Sequence, residues 1–191
     1  MSKSSDKRER LTERILEHIA AHGFASVHHF SRLAKEIRVG RSLLYFYYKS
    51  TEEVLTEVGE MFRFLLVTHY RYVVEQELAF KEYMYSLLKI RSLVFFTFEC
   101  QKECQRIPTL QTHLDLVMET LDSYSFQRFK EHYQVEDQDP EQISFLYSCC
   151  RSQWWESLGS YETWSEESVD LFLASLDQLM SAYVHQDAPS S

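Results

Sequence analysis

Apolar positions in the first fifty residues fall into short helical lines. Leu11, Ile15 and Ile19 recur every four residues within Asp6 to His22, which predicts a helix there. Gly23 stands where a glycine commonly follows a helix C-terminus, and residues 24–28 read as a connection. Phe30, Leu33, Ala34 and Ile37 then sit at i, i+3, i+4 and i+7, one face of a second, short helix. Arg38-Val39-Gly40 breaks that line, and Gly40 can take backbone angles that other residues resist. A third short helix follows, with Leu44 and Tyr48 turned toward the second. Its opposite side carries Arg41, Ser42, Leu43 and Tyr47, with Tyr45 at the flank. Lys49 closes it, and Ser50-Thr51-Glu52-Glu53 has the form of a capping box opening the next helix.

Beyond Thr51 the lines lengthen. Val54, Leu55, Val58, Phe62, Leu65, Leu66, His69 and Val73 mark one long helix. A second is predicted from Glu82 to about Gln105, apolar on several faces as a buried central helix is. Arg106-Ile107-Pro108 interrupts it, and Pro108 opens a helix running to about Tyr133. After the polar stretch Val135 to Pro140, Asp139 caps a helix that continues to Leu158, before Gly159. Ser165-Glu166-Glu167 opens the last helix, which ends near Val184. With four glycines and three prolines in 191 residues there are few places to turn strands. The expected fold class is all-α. Ser50 is the natural boundary between residues 1–50 and residues 51–191, and no flexible linker separates them.

Charge sharpens this division. The net charge of −9 argues against a polyanionic partner, but its distribution reverses that impression. Residues 1–50 hold ten Lys/Arg against five Asp/Glu, or +5; residues 51–191 hold ten against 24, or −14. A basic head on an acidic body suits a protein that docks one end onto phosphates. Two short helices about a tight turn, the second carrying donors and aromatics on its outer face, suit a major groove.

The stretch Leu11 to Val54 resembles the N-terminal domain of the TetR family of transcriptional regulators. The resemblance lies in Arg14-Ile15-Leu16, His22-Gly23-Phe24, Leu33-Ala34, Val39, and above all the run Leu44-Tyr45-Phe46-Tyr47-Tyr48-Lys49-Ser50-Thr51-Glu52-Glu53. It implies a helix-turn-helix domain on a helical ligand-binding and dimerisation domain, and a homodimeric repressor on an inverted-repeat, double-stranded DNA operator. Three positions depart from the family. Arg38 stands where glycine is usual in the turn, costing ~1 kcal/mol if that site is left-handed. Gly40 replaces a capping serine or threonine, and Thr51 replaces a frequent phosphate-contacting lysine. Arg41, Ser42, Leu43, Tyr45 and Tyr47 are expected to line the groove, with Lys49 on phosphate.

Aromatic residues make up 15% of the chain, and many cluster in Phe62 to Tyr72, Tyr83 to Phe98 and Tyr147 to Trp155. Rings in excess of core needs favour an apolar pocket with a few polar handles. Phe62, Leu66, Phe95, Phe96 and Trp155 are the candidate walls, and His69, His113 and Arg151 the candidate handles, for a small hydrophobic effector. Ile143, Tyr147 and Trp154 on the penultimate helix, with Phe172, Leu176, Leu179 and Tyr183 on the last, form the candidate dimer interface; internal core is the alternative use of the same lines.

The remaining chemistry is sparse. Cys100 and Cys104 share a helix face and Cys149 and Cys150 are adjacent, but no zinc-site spacing is completed, and buried free thiols are expected in place of a regulatory disulfide. His18 and His22 stand four apart without an obvious third ligand. No GxSxG, phosphate-binding loop, dinucleotide fingerprint or HExxH occurs. No catalytic residue, cofactor or metal is therefore expected. No apolar run approaches the ~18 residues of a membrane span, and MSKSSDKRER lacks a signal-peptide core, so the expected location is cytoplasmic. The competing function class is a helical enzyme or partner-binding adaptor that does not bind DNA; salt-dependent binding to duplex DNA separates the two.

Overall fold

The computed structural model describes residues 3–103 and 108–186. Among the described residues every regular element is helical: α1 (Lys3–His22), α2 (Phe30–Glu36), α3 (Arg41–Tyr47), α4 (Thr51–Glu75), α5 (Phe80–Ser86), α6 (Arg91–Glu103), α7 (Pro108–Tyr133), α8 (Pro140–Ser157) and α9 (Glu166–Gln186), with short 3-10 turns at Phe24–Ser26 and Leu87–Ile90. None of these helices is long and apolar enough to cross a membrane.

Helix ends follow local chemistry. Gly23 leaves α1 at φ 73, the left-handed region open to glycine, and its N–H closes on the Ile19 carbonyl at 2.8 Å. A Cβ there would lie 2.9 Å from Glu99 Oε2, so the position is also crowded. Pro140 begins α8, and the Asp139 carboxylate accepts from the Glu141 N–H at 3.0 Å.

One predicted element differs. The apolar run expected as a single helix from Glu82 is broken by the 3-10 turn at Leu87–Ile90. Ser86 sits at the break and donates its hydroxyl to the Tyr83 carbonyl at 2.7 Å, a side-chain bond that competes with the helical ladder. No glycine or proline marks the place in the sequence.

By compactness the chain divides into two units, and neither ends at Ser50. The first comprises Met1–Glu75 and Ile90–Thr120; the second comprises Gln76–Lys89 and Leu121–Ser191. The expected 1–50 boundary falls inside the first unit, where α1 packs on both α4 and α6. Leu11, Ile15, Leu16 and Ile19 of α1 are buried, as are the consecutive residues Leu93 to Thr97 of α6. The Phe96 ring lies 5.9 Å from Phe24 and 4.9 Å from Phe62, joining the turn after α1, α4 and α6 in one core. In the second unit α9 packs on α5 and α8. Its aromatic core includes Phe80, Phe129, Trp154, Trp164 and Phe172, and Asp177 accepts from Lys81 at 3.0 Å and from the Tyr133 hydroxyl at 2.8 Å.

Within the first unit α2 and α3 pack on each other across the turn that follows Glu36. Gly40 does not supply its unusual geometry, since its φ of −67 and ψ of 133 are open to any residue. Arg38 does, at φ 54. The Val39 N–H bonds to the Ala34 carbonyl at 2.9 Å, and the Arg14 guanidinium donates to the Ile37 carbonyl, so the chain is held in this conformation from both sides. A left-handed non-glycine residue costs ~1–2 kcal/mol, and glycine's added freedom in the unfolded chain offsets ~0.5–1 kcal/mol of any relief. Arg38→Gly is expected to raise stability by about 0.5–1 kcal/mol, read as a higher urea midpoint at unchanged slope. A midpoint that stays or falls would show that the Arg38 backbone is not strained.

Candidate nucleic-acid interface

α3 has a fixed back and an open front. At the back, Leu44 and Tyr48 are buried. The Tyr48 hydroxyl shares a 2.7 Å hydrogen bond with the Thr12 hydroxyl, and burial pushes its phenol above the ordinary range. The Arg8 guanidinium lies over the Tyr48 ring, 5.5 Å from its centre, and donates to Glu53 at 3.0 Å and through Nε to Glu57 at 2.8 Å. Ser50 accepts from the Glu53 N–H at 3.2 Å, one half of the expected capping box. The other half is displaced by one residue: the Glu53 carboxylate accepts from the Lys49 N–H at 2.7 Å. That bond, with Arg8, holds the Glu53 carboxyl below the ordinary range. One carboxylate thus pins the end of α3 to the start of α4, and Arg8 ties both to α1.

At the front, Arg41, Ser42, Leu43, Tyr45 and Lys49 are exposed and Tyr47 is half-buried. The Arg41 guanidinium stacks over the Tyr45 ring at 5.2 Å and Nη2 donates to its hydroxyl at 3.4 Å; Tyr45 in turn packs on Phe30 at 5.2 Å. The sequence pattern omitted Phe46, which is 75% exposed, the largest value among the exposed large hydrophobic residues. Its neighbour Leu43 is 37% exposed. The signal that could have found Phe46 is its position two beyond the buried Leu44, on the outer side of a short helix. Beside this face is an open cleft of about 500 Å³ lined by His28, His29, Arg32, Tyr45, Lys49 and Thr51, among others.

A second, smaller cleft of about 380 Å³ lies against α1 and α2 and is lined by His18, His22, Ala25, Ser26, Arg32 and Glu36. His18 Nε2 is 2.7 Å from Ser26 Oγ and 3.0 Å from Glu36 Oε2, and its ring meets His22 at 4.9 Å. Glu36 is held below the carboxylate range, first by its hydrogen bond from Arg32. Ser26 and Glu36 both meet the same ring nitrogen, so the three groups do not form a nucleophile–base–orienter relay.

The residues expected to line an effector site are placed differently from one another. Phe96 is 0% exposed and Phe62 close to it, so neither has surface to offer a ligand; both are core. Leu66, His69 and Phe95 are likewise buried in the first unit. Arg151 and Trp155 belong to the second unit, where Arg151 is exposed and donates to Asp122, whose carboxyl burial pushes up. The His113 side chain and Cys104 lie outside the described residues. Cys100 and Cys150 are buried and Cys149 is exposed; burial pushes the Cys150 thiol up to about 11. Among the described residues no group of three or more His, Cys, Asp or Glu is placed to hold a metal.

Four of the seven residues expected at a dimer interface are buried in the chain. Ile143, Trp154, Phe172 and Leu176 are buried within the protomer, Leu176 at 0%, and Trp154 packs edge-on against Trp164 and Phe172. Tyr147 packs on Phe126 and Phe129, while the Tyr183 hydroxyl donates to Gln142. Of the expected residues Leu179 is exposed; among the described residues Phe145 at 69% and Leu171 at 65% are also open large apolar side chains of α8 and α9.

No family model fits the chain, and no curated protein is significantly similar to it.

Burial lowers the His18 pKa from its ordinary 6.5, with His22 adding repulsion, so folding favours the neutral ring despite Glu36. The unfolded chain therefore binds more protons between the depressed value and about 6.5. This contribution to stability is complete above that window and is lost as pH falls through it. Urea unfolding at pH 7.5 and 5.5 is expected to show a loss that is smaller in His18→Gln. Equal losses in parent and variant would remove His18 from the acid sensitivity.

Proposed function

We propose that this chain is a DNA-binding transcriptional regulator of the TetR type, a homodimeric repressor that holds an inverted-repeat operator and releases it when a small hydrophobic effector binds. The observation that carries the reading is the outward face of α3. Arg41, Ser42, Leu43, Tyr45 and Phe46 stand open on it, while buried Leu44 and Tyr48 hold its back. The face belongs to the part of the chain with ten Lys/Arg against five Asp/Glu, and the cleft beside it adds His28, His29, Arg32 and Lys49. Donors on a short, firmly seated helix suit base edges, and the Arg32 and Lys49 charges beside it suit phosphate.

Two copies are needed to read an inverted repeat. The surface that supports dimerisation is the outer side of α8 and α9, where Phe145, Leu171 and Leu179 are exposed. The effector part of the reading rests on the resemblance. An effector releases DNA only by binding the two states unequally, and tenfold release requires about 1.4 kcal/mol of differential affinity.

Arg41→Ala is expected to cost ~1–3 kcal/mol in operator affinity and to relax the preference at one base position. Lys49→Ala is expected to weaken all sequences alike and to flatten the salt dependence. Undiminished binding to a selected duplex by the double variant would overturn this assignment, and absence of salt-dependent binding to any duplex would favour an adaptor or enzyme.

For assembly, Leu171→Glu is expected to give a folded monomer with much weaker operator binding. Leu176→Glu is expected to unfold the second unit, since it puts a charge into a closed core. Sedimentation and circular dichroism on the two variants distinguish these outcomes; a dimeric Leu171→Glu protein at micromolar concentration would rule out this face.

A further inference from the structure

Leu43 and Phe46 are three residues apart on α3, which sets them side by side on one face. Tyr47 meets the Phe46 ring edge-on at 4.9 Å, yet Phe46 remains three-quarters exposed. The outer face thus has two halves. One is polar, with Arg41 steadied on Tyr45; the other is apolar, with Leu43 and Phe46. The surroundings indicate what covers the apolar half. α3 contains no acidic residue, and Arg41 and Lys49 stand at its two ends. A complement that combines negative charge with apolar groups fits this face. The major groove of duplex DNA does so: phosphates flank it, and the thymine C5-methyl is its one apolar feature.

We infer that Leu43 and Phe46 read thymine methyl groups, so that this chain selects its site by apolar contact as well as by hydrogen bonds and distinguishes thymine from uracil. This rests on the DNA-binding reading and adds to it the base feature that is read and the two side chains that read it.

The test begins with duplexes selected from a random-sequence library by the full-length protein. Each thymine of the selected duplex is then replaced singly by deoxyuridine, which keeps base pairing and the O4 acceptor and removes only the methyl. Affinity is expected to fall about threefold to fivefold at each contacted methyl, the size of one buried methyl-sized group. In Leu43→Ala or Phe46→Ala the loss at the matching position is expected to vanish, while thermal stability is kept because both side chains are on the surface. A selected duplex that binds equally well with deoxyuridine at every position, or that contains no thymine in the protected region, overturns the inference and leaves DNA binding standing. Full deoxyuridine sensitivity in both alanine variants overturns the assignment to Leu43 and Phe46. Failure to enrich any duplex overturns the inference together with the DNA-binding reading.

Discussion

The Phe96 ring is closed to water and lies between Phe24 and Phe62. The three rings of this contact come from α6, the turn after α1, and α4. Burying a phenylalanine is worth ~1.5–3 kcal/mol, more than the ~0–1 kcal/mol typical of an exposed ion pair. The turn that carries Phe24 packs on α2, and α2 packs on α3. Removing the Phe96 ring would weaken the seat of the short helices without touching any of their own contacts.

Orientation is set by a different kind of interaction. The ion pairs of Arg8 with Glu53 and Glu57 add little free energy individually, because they are partly exposed. Their effect is geometric: a planar guanidinium against a ring, a paired buried hydroxyl, and a carboxylate on the Lys49 N–H leave the end of α3 few alternatives. The acidic groups of this network all face the back of α3. Its front carries Arg41, Lys49 and the rings of Tyr45 and Phe46.

Much of this was legible because it is locally encoded. The three-and-four spacing of Phe30, Leu33, Ala34 and Ile37, the length of α4, and the Asp139-Pro140 start of α8 follow from side chains within a turn of one another. Distant packing was not. Periodicity shows that one side of a helix is apolar without showing what covers it, so Leu176 and Leu171 could not be ranked until α5 and α8 were seen against α9. The same limit put a boundary at Ser50, since nothing near that residue reveals that α6 completes the core begun by α1. Phe46 was missed because it lies two residues beyond Leu44, outside the three-and-four spacing that was followed. The positive φ at Arg38 was foreseeable only through the resemblance, as the residue itself gives no sign of it.

The first unit is discontinuous in sequence, and a ribosome delivers sequence in order. Roughly seventy residues separate His22, the end of α1, from Arg91, the start of α6. At ~5–20 residues per second, the wait between them is on the order of 4–14 s. Throughout that interval Leu11, Ile15 and Ile19 have no α6 to rest against, and the nascent chain shows an oily stripe to water. The hazard in this protein's life therefore falls during synthesis, when a chaperone that holds short amphipathic helices can stand in for a helix not yet made.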